Sequence, residues 1–419
     1  MFKNNEYGSI VRDVFSNKNI MAIAFTTSMW SLVRNAWYPF WAPYLKEELG
    51  ASVTIIGFLS MIQTAENLIF QLPGGYLADR YGRRKIIILG TAIRTISPVI
   101  YFFAPSWEWV VPAVIFNGMA SLYMPAFSAI IADSLPEERR GAGYGAYNMI
   151  TSIPRSFSPI IGGVIMDAYG YRRGLRLFLV FQFMVSVIMT IVRWRILKET
   201  VEVKTGTMRR PVLGSLSDFP RPIKVMMLVA IIGSFSGRIV MDFTSLYAIE
   251  VIKISNTQLG LLTTTIGAIS SILALPGGML SDRYGRKPAI MLSRVVSPIS
   301  QGLVTITSNF TPYFTVRVIN SVGLALGGGG MYAGGPSWNA LIADIVPPEK
   351  RATVMGTIGT LTGIVAAPSS IIGGWLWQNY SPQLPFQLSM VVGLISASIF
   401  WVGVKEPPRK KVEPEATPQ

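Results

Sequence analysis

Apolar residues in this chain do not alternate with polar ones or recur at one helical face. They run on in stretches of about twenty or more, broken by short polar joints. Twelve such stretches can be drawn, at 20–45, 54–77, 86–104, 109–132, 142–168, 176–196, 225–249, 257–280, 288–307, 313–342, 353–377 and 384–404. As a helix, rising ~1.5 Å per residue, each can cross a hydrocarbon layer of about 30 Å while satisfying its own backbone. The joints carry turn chemistry, as at Pro105-Ser106-Trp107, Leu135-Pro136-Glu137-Glu138 and Val346-Pro347-Pro348-Glu349. The longest joint, 198–222, is charged and rich in Pro and Gly, and it parts six stretches from six. The pattern predicts an all-α integral membrane protein with twelve transmembrane helices in two six-helix bundles. The bundles are expected at 1–197 and 223–405, with a linker at 198–222 and a polar tail at 406–419. The first 19 residues are polar and hold no apolar leader core, so the first stretch is expected to stay in the protein.

Composition agrees. Half of the 419 residues are hydrophobic and 14% are charged, far from the surface a soluble chain of this length would need. The chain has no Cys and no His. That removes thiol nucleophiles, imidazole bases and Cys/His metal sites, so neither a metal, a cofactor nor an enzymatic role is expected. The net charge of +15 would point to nucleic acid in a soluble protein, but here its location explains it. Of the 37 Lys and Arg, 26 fall on the side that carries both termini and five on the other, namely Lys46, Arg172, Arg173, Arg176 and Lys253. Cations collect on cytoplasmic loops, so both termini are expected in the cytoplasm and the protein in the cell membrane, with lipid rather than nucleic acid around it. The three arginines between the fifth and sixth stretches break the rule locally.

The halves repeat each other. Gly75-Tyr76-Leu77-Ala78-Asp79-Arg80-Tyr81-Gly82-Arg83-Arg84 returns as Gly278-Met279-Leu280-Ser281-Asp282-Arg283-Tyr284-Gly285-Arg286-Lys287. Arg94-Thr95-Ile96-Ser97-Pro98 returns as Arg294-Val295-Val296-Ser297-Pro298, and the run Pro125–Asp133 as Pro336–Asp344. Ile160-Ile161-Gly162-Gly163 returns as Ile371-Ile372-Gly373-Gly374. Four ordered matches indicate a duplicated six-span unit, with the two bundles related by an axis along the membrane normal and a pathway between them.

The doubled Gly-x-Leu-x-Asp-Arg-x-Gly-Arg-Arg/Lys loop resembles the signature loop of the major facilitator superfamily, over nearly the whole chain. The resemblance implies secondary active transport by alternating access, with a small-molecule solute bound between the halves. It also implies a gating role for Gly75, Asp79, Arg80, Gly82 and Arg83, and for Gly278, Asp282, Arg283, Gly285 and Arg286. There the carboxylates pair with arginines and helix N-termini to latch the halves closed on the cytoplasmic side, with Asp133 and Asp344 as further partners. A topology anchor is the other reading of the same cations. The fifth-span antiporter pattern Gly-Pro-x-x-Gly-Gly survives only as Ser158-Pro159-Ile160-Ile161-Gly162-Gly163, with Pro154 at an expected glycine. The fourth-span Arg-x-x-Gln-Gly pattern is reduced to Val114-Ile115-Phe116-Asn117-Gly118.

Six arginines fall well inside predicted spans, away from their ends: Arg34, Arg94, Arg155, Arg238, Arg294 and Arg317. Only two acids do, Glu66 and Asp242. Each central arginine costs roughly 3 kcal/mol on insertion scales, so these must face a bundle interior or a wet cavity. Arg34 and Arg238 lie about fourteen residues into the first and seventh stretches, near mid-bilayer. Paired there they can hold a carboxylate or phosphate from both sides, similar to the organophosphate/phosphate antiporters of the superfamily. The repeat offset sets Asn35, not Arg34, opposite Arg238. Trp30, Arg34, Trp37 and Trp41 share a helical face, as an aromatic wall or as core and interface filling. Asp242, one turn beyond Arg238, is either a local ion pair or a proton-coupling carboxylate. Glu66 is either the second coupling carboxylate or the partner of Arg34. Asn148 and Arg155 share a face suited to a polar cavity wall. Arg94 and Arg294, beside Ser-Pro, are read as structural, bonding carbonyls freed by the prolines. Gly327–Gly330 with Gly334-Gly335-Pro336 implies either a bent or broken tenth span or close packing through small residues.

The leading expectation is a proton-coupled transporter of a small, anionic organic solute, monomeric. A multidrug/proton antiporter exporting lipophilic compounds and a non-transporting membrane receptor are the alternatives.

Overall fold

The computed structural model describes residues 16–135, 140–200, 219–328 and 335–406. The expected tail 406–419 apart from Glu406, most of the linker 198–222, Arg139 and the glycines at 329, 330 and 334 lie outside the described residues. No strand occurs among those described. In the first half the helices are α1 Lys18–Trp37, α2 Trp41–Glu47, α3 Val53–Tyr81, α4 Arg83–Arg94, α5 Ile96–Phe103, α6 Val110–Ala120, α7 Met124–Ser134 and α8 Arg140–Ile196. The second half has α9 Arg221–Met241, α10 Thr244–Glu250, α11 Asn256–Tyr284, α12 Arg286–Val304, α13 Phe310–Leu326, α14 Pro336–Ile345, α15 Pro348–Asn379 and α16 Leu384–Gly403.

Local sequence sets the ends of these helices. Ser52 caps α3 on Ile55 N at 3.3 Å, and Ser255 opens α11 with a capping box closed by Gln258. Gly82 (φ 93°) and Gly285 (φ 114°) turn the chain between α3 and α4 and between α11 and α12, in a region closed to most L residues. We call the face bearing these two loops the basic face and the opposite one the far face. Eight segments among the described residues are long and apolar enough to cross a bilayer, against twelve stretches expected. Each shortfall has a local cause. Two stretches run together in α8, which reverses at the non-helical Gly170 (φ 73°, ψ 168°). The tenth breaks at Leu326, with Gly328 at φ 87°, and resumes at Pro336, so the broken reading of that span holds. Arg286, Lys287 and Arg294 interrupt α12, and Asn19, Thr26, Thr27, Ser31 and Asn35 dilute α1.

Among the described residues the buried apolar side chains form three clusters, and their layout defines the conformation. The largest, from Val33 and Phe40 through Tyr247 to Phe386, draws on both halves at mid-depth and toward the far face. The other two lie toward the basic face and each belongs to one half, around Ile87 and Ile130 or around Met226 and Leu341. The halves thus share a core at one end and keep separate cores at the other.

Two glycine pairs set how closely the helices meet. The first glycine of each, Gly162 and Gly373, lies on a backbone carbonyl of its own half, at Ala36 in α1 and Ile239 in α9. The second, Gly163 and Gly374, lies on a carbonyl of the opposite half, at Asn256 in α11 and Val53 in α3. Ala36 and Ile239, like Val53 and Asn256, are repeat equivalents, so the contacts obey the pseudo-twofold axis. Any Cβ here displaces backbone, not a pliable side chain. Overpacking costs about 1–3 kcal/mol. Gly162→Val is therefore expected to lower the apparent Tm in detergent, whereas Gly278→Ala, with open space around it, is expected to leave it unchanged.

Candidate functional site

A cavity of about 290 Å³ lies between the halves. Its wall takes Arg34, Trp37, Tyr38, Gln63, Arg94, Tyr101 and Asn117 from the first half and Asp242, Thr263, Tyr313 and Arg317 from the second. The α1 helix gives way at Tyr38–Phe40 to a tighter turn beside Pro39, and this presents Arg34 and Tyr38 to the cavity. The Arg34 guanidinium sits over the Tyr38 ring at 3.7 Å and the Trp37 ring at 4.5 Å. Trp37 is a packed wall residue whose Nε1 donates to Gln182 Oε1 at 2.6 Å, and its ring meets Trp41 at 5.3 Å. Arg94 does not bond the carbonyls near Pro98. It donates to the Tyr123 hydroxyl at 2.8 Å and stacks on Trp30 at 4.7 Å. Its repeat equivalent Arg294 donates to Ser396 Oγ at 3.2 Å within the second half, away from this cavity.

The three cavity arginines carry buried nitrogens that find no hydrogen-bond partner: Arg34 Nη1, Arg94 Nε and Arg317 Nε. A buried donor left unpaired costs about 1–3 kcal/mol, more when charged. The cavity is a concave, aromatic-walled space holding unsatisfied cations, which is chemistry for an anion.

The expected Arg34–Arg238 pair is corrected. Arg238 does not line the cavity; it reaches across to Thr64 Oγ1 of α3 at 3.0 Å and pairs with Asp242 at 3.4 Å. Asp242 also accepts from Ser370 of α15 at 2.8 Å. Arg317 supplies the second half's cavity cation instead. Asn35 turns away, donating to Ser31 O at 2.8 Å, while Asn148 and Arg155 are exposed and outside the cavity wall. Glu66 does not pair with Arg34. It is 6% exposed, packed on Gly118, and neither carboxyl oxygen has a partner.

The far face is tied by side chains as well as by core. Asp167, four residues beyond Gly163, accepts from the N–H groups of Asn256 and Thr257 at 3.0 and 2.8 Å and from their side chains at 2.9 and 2.6 Å. It thereby caps the first turn of α11 from the other half, where a negative charge is favoured. Gln378, four residues beyond Gly374, accepts from Thr54 N at 3.3 Å and Thr54 Oγ1 at 2.8 Å in the first turn of α3. Lys46 and Glu250 add a 2.6 Å ion pair between α2 and α10. Arg172, one of the cations that broke the charge rule, pairs with Glu48 at 2.9 Å.

At the basic face the ties observed lie within a half. Arg83 pairs with Asp133 and Arg286 with Asp344. Glu199 accepts from Arg84 N at 3.0 Å and Glu406 from Arg286 N at 2.7 Å. Arg80 donates to the Tyr76 hydroxyl at 3.0 Å. The α8–α11 contact runs from Gly163 to a Ser156–Ser271 approach at 3.4 Å. On the same face of α11, Leu275 and Asp282 are then exposed and nothing lies near Gly278; Asp79 and Arg283 are likewise exposed. Among the described residues Asp79 and Asp282 do not pair with these arginines, and the halves meet at the far face but not at the basic one.

The sequence reading missed the wall residues Tyr38, Tyr101, Gln182 and Tyr313 and the ties at Asp167 and Gln378. A legible signal was the equal spacing of Asp167 and Gln378 beyond the repeated Gly-Gly pairs. Arg193, counted by position with the linker cations, is 1% exposed and donates to Thr26, Thr27 and Thr91 at 3.2, 3.3 and 3.0 Å.

Residues 21–252 and 226–419 each match the Major Facilitator Superfamily, so the match covers both repeats and the chain belongs to that family of membrane transporters. An uncharacterised MFS-type transporter of Methanocaldococcus jannaschii is 24% identical over 408 residues, 94% of this chain and 96% of the relative. The multi-drug resistance efflux pump PmrA of Streptococcus pneumoniae is 24% identical over 343 residues, 78% of this chain and 83% of the pump. The fold matches that of the nucleoside transporter NupG, with a TM-score of 0.74 at 15% identity over 92% of this chain and 100% of that one.

The far-face caps make a direct prediction. Hydrogen bonds to a charged acceptor contribute roughly 1.5–3 kcal/mol each. With spin labels at Ser106→Cys and Ser308→Cys in this Cys-free chain, Asp167→Ala is expected to populate a longer far-face distance. Gln378→Ala should do so less, having one uncharged acceptor. Unchanged distance distributions in both would contradict the assignment.

Proposed function

We propose that this protein is a proton-coupled transporter of a small organic anion, working by alternating access. The observation that carries the reading is the cavity between the halves, with cations from both whose buried nitrogens lack partners. In this reading the chain forms twelve transmembrane helices in two bundles, monomeric in the cell membrane, with the basic face and both termini in the cytoplasm. Arg34, Arg94 and Arg317 hold the anion, and Trp37 shapes the wall. Asp79 and Asp282, exposed here, take up their latch contacts when the basic face closes, with Arg83 and Arg286 already positioned by Asp133 and Asp344.

Glu66 is the favoured proton carrier. Its carboxyl group is enclosed without any counter-charge or hydrogen-bond donor, an arrangement costly for an anion and relieved by a proton. Asp242 is held by Arg238 and Ser370, and couples by releasing Arg238 as the halves move.

A multidrug/proton antiporter is the second reading. The aromatic walls around Trp37, Tyr38, Trp41 and Tyr101 favour it, as does the similarity to an efflux pump. A solute panel scored by thermal stabilisation separates the two. Anions are expected to stabilise the wild type and to lose that effect in Arg34→Ala and Arg317→Ala. Stabilisation confined to lipophilic cations, indifferent to both arginines, would favour the pump. For proton coupling, Glu66→Gln is expected to keep solute exchange across proteoliposomes but lose accumulation driven by a pH gradient. Accumulation that survives this substitution would remove Glu66 from the coupling role.

A further inference from the structure

We infer that the solute carries two negative charges, one engaged by the first half and the other by Arg317 of the second. This rests on the anion reading above and adds a charge number to it. The charge inventory points to it. Arg34, Arg94 and Arg317 line the cavity, and Arg238 stands beside its wall through Asp242. Against these four cations stand two carboxylates, Asp242 and Glu66, and Asp242 is already bound to Arg238. With every group ionised the region keeps an excess of two positive charges, and three when Glu66 carries a proton, so in either case a single negative group leaves positive charge uncompensated.

The distribution matters as much as the count. Arg34 and Arg94 belong to the first half, while Arg317 lies on α13 of the second. Each has a buried nitrogen without a partner, so each half keeps a donor to offer. Two acidic groups on one solute satisfy both halves together and draw them toward each other across the cavity, which a monoanion held by Arg34 and Arg94 does not. Tyr38, Tyr101 and Tyr313 line the same cavity and suit an apolar or aromatic spacer.

The test uses matched probes on the full-length protein in detergent: benzoate, isophthalate and terephthalate, and the aliphatic pair hexanoate and adipate. Binding is read by titration calorimetry or by thermal shift. The dianions are expected to bind at least tenfold tighter than their monoanionic counterparts. Arg317→Gln is expected to remove that preference by weakening each dianion at least tenfold more than its monoanionic counterpart, and Arg317→Lys to restore part of it. Wild-type protein that binds each matched pair equally, through Arg34, overturns the two-charge inference and leaves the anion reading intact. Binding of neither class, with cations bound instead, overturns both. The wild-type comparison decides the matter even if a variant fails to fold.

Discussion

Positive charge held at depth without its counter-charge is the constraint on which this structure turns. An arginine in the middle of a bilayer helix is tolerated when it meets water, a carboxylate or a ligand. Some of the buried arginines find partners in the protein itself. Arg193 is spread over three threonines, Arg294 reaches Ser396, and Arg238 is paired with Asp242. Arg34, Arg94 and Arg317 retain unsatisfied nitrogens, as Arg238 does at Nε, and differ from it in lining the cavity between the halves. What sets these three apart is their place on the cavity wall.

The cavity exists because the halves meet in a way that can be undone. Gly163 and Gly374 let each bundle rest its backbone against the first turn of a helix in the other. One turn on, Asp167 and Gln378 accept that turn's free N–H groups. The contacts are short, polar and concentrated at helix ends, where the exposed N–H groups need partners in any case. Their loss would free groups that water at the far face can satisfy, as the proposed alternating access requires. At the basic face the signature loops instead serve their own halves, through Arg83–Asp133 and Arg286–Asp344, and leave Asp79 and Asp282 free to solvent. In the proposed mechanism this carboxylate, placed twice by the repeat and exposed twice here, latches the opposite state.

Much of this was legible in the sequence. Long apolar runs gave the helices, and the ordered repeats gave the two halves and the loops at Gly82 and Gly285. The importance of Arg34 followed from its depth. What could not be read was rotation about helix axes. Arg238 and Arg317 both lie within predicted spans, but only packing decides that Arg238 turns toward Thr64 and Asp242 while Arg317 turns to the cavity. The repeat sets Asn35 at the position of Arg238, and Asn35 bonds its own helix instead. Asn148 and Arg155 lie on a polar face, but of a part of α8 outside the enclosed cavity. Glu66 and Arg34 looked like natural partners by charge, and Gly118 holds Glu66 elsewhere.

The claim most in need of direct measurement is that the cavity serves both faces by releasing the far-face ties. A Thr54→Cys, Gln378→Cys pair joined by a disulfide or a short thiol crosslinker fixes one of those ties, in a chain with no other cysteine. Locked protein in proteoliposomes should still bind a stabilising anion but carry out no counterflow, with flux restored when a disulfide link is reduced. Counterflow that continues while the pair is joined would contradict the account.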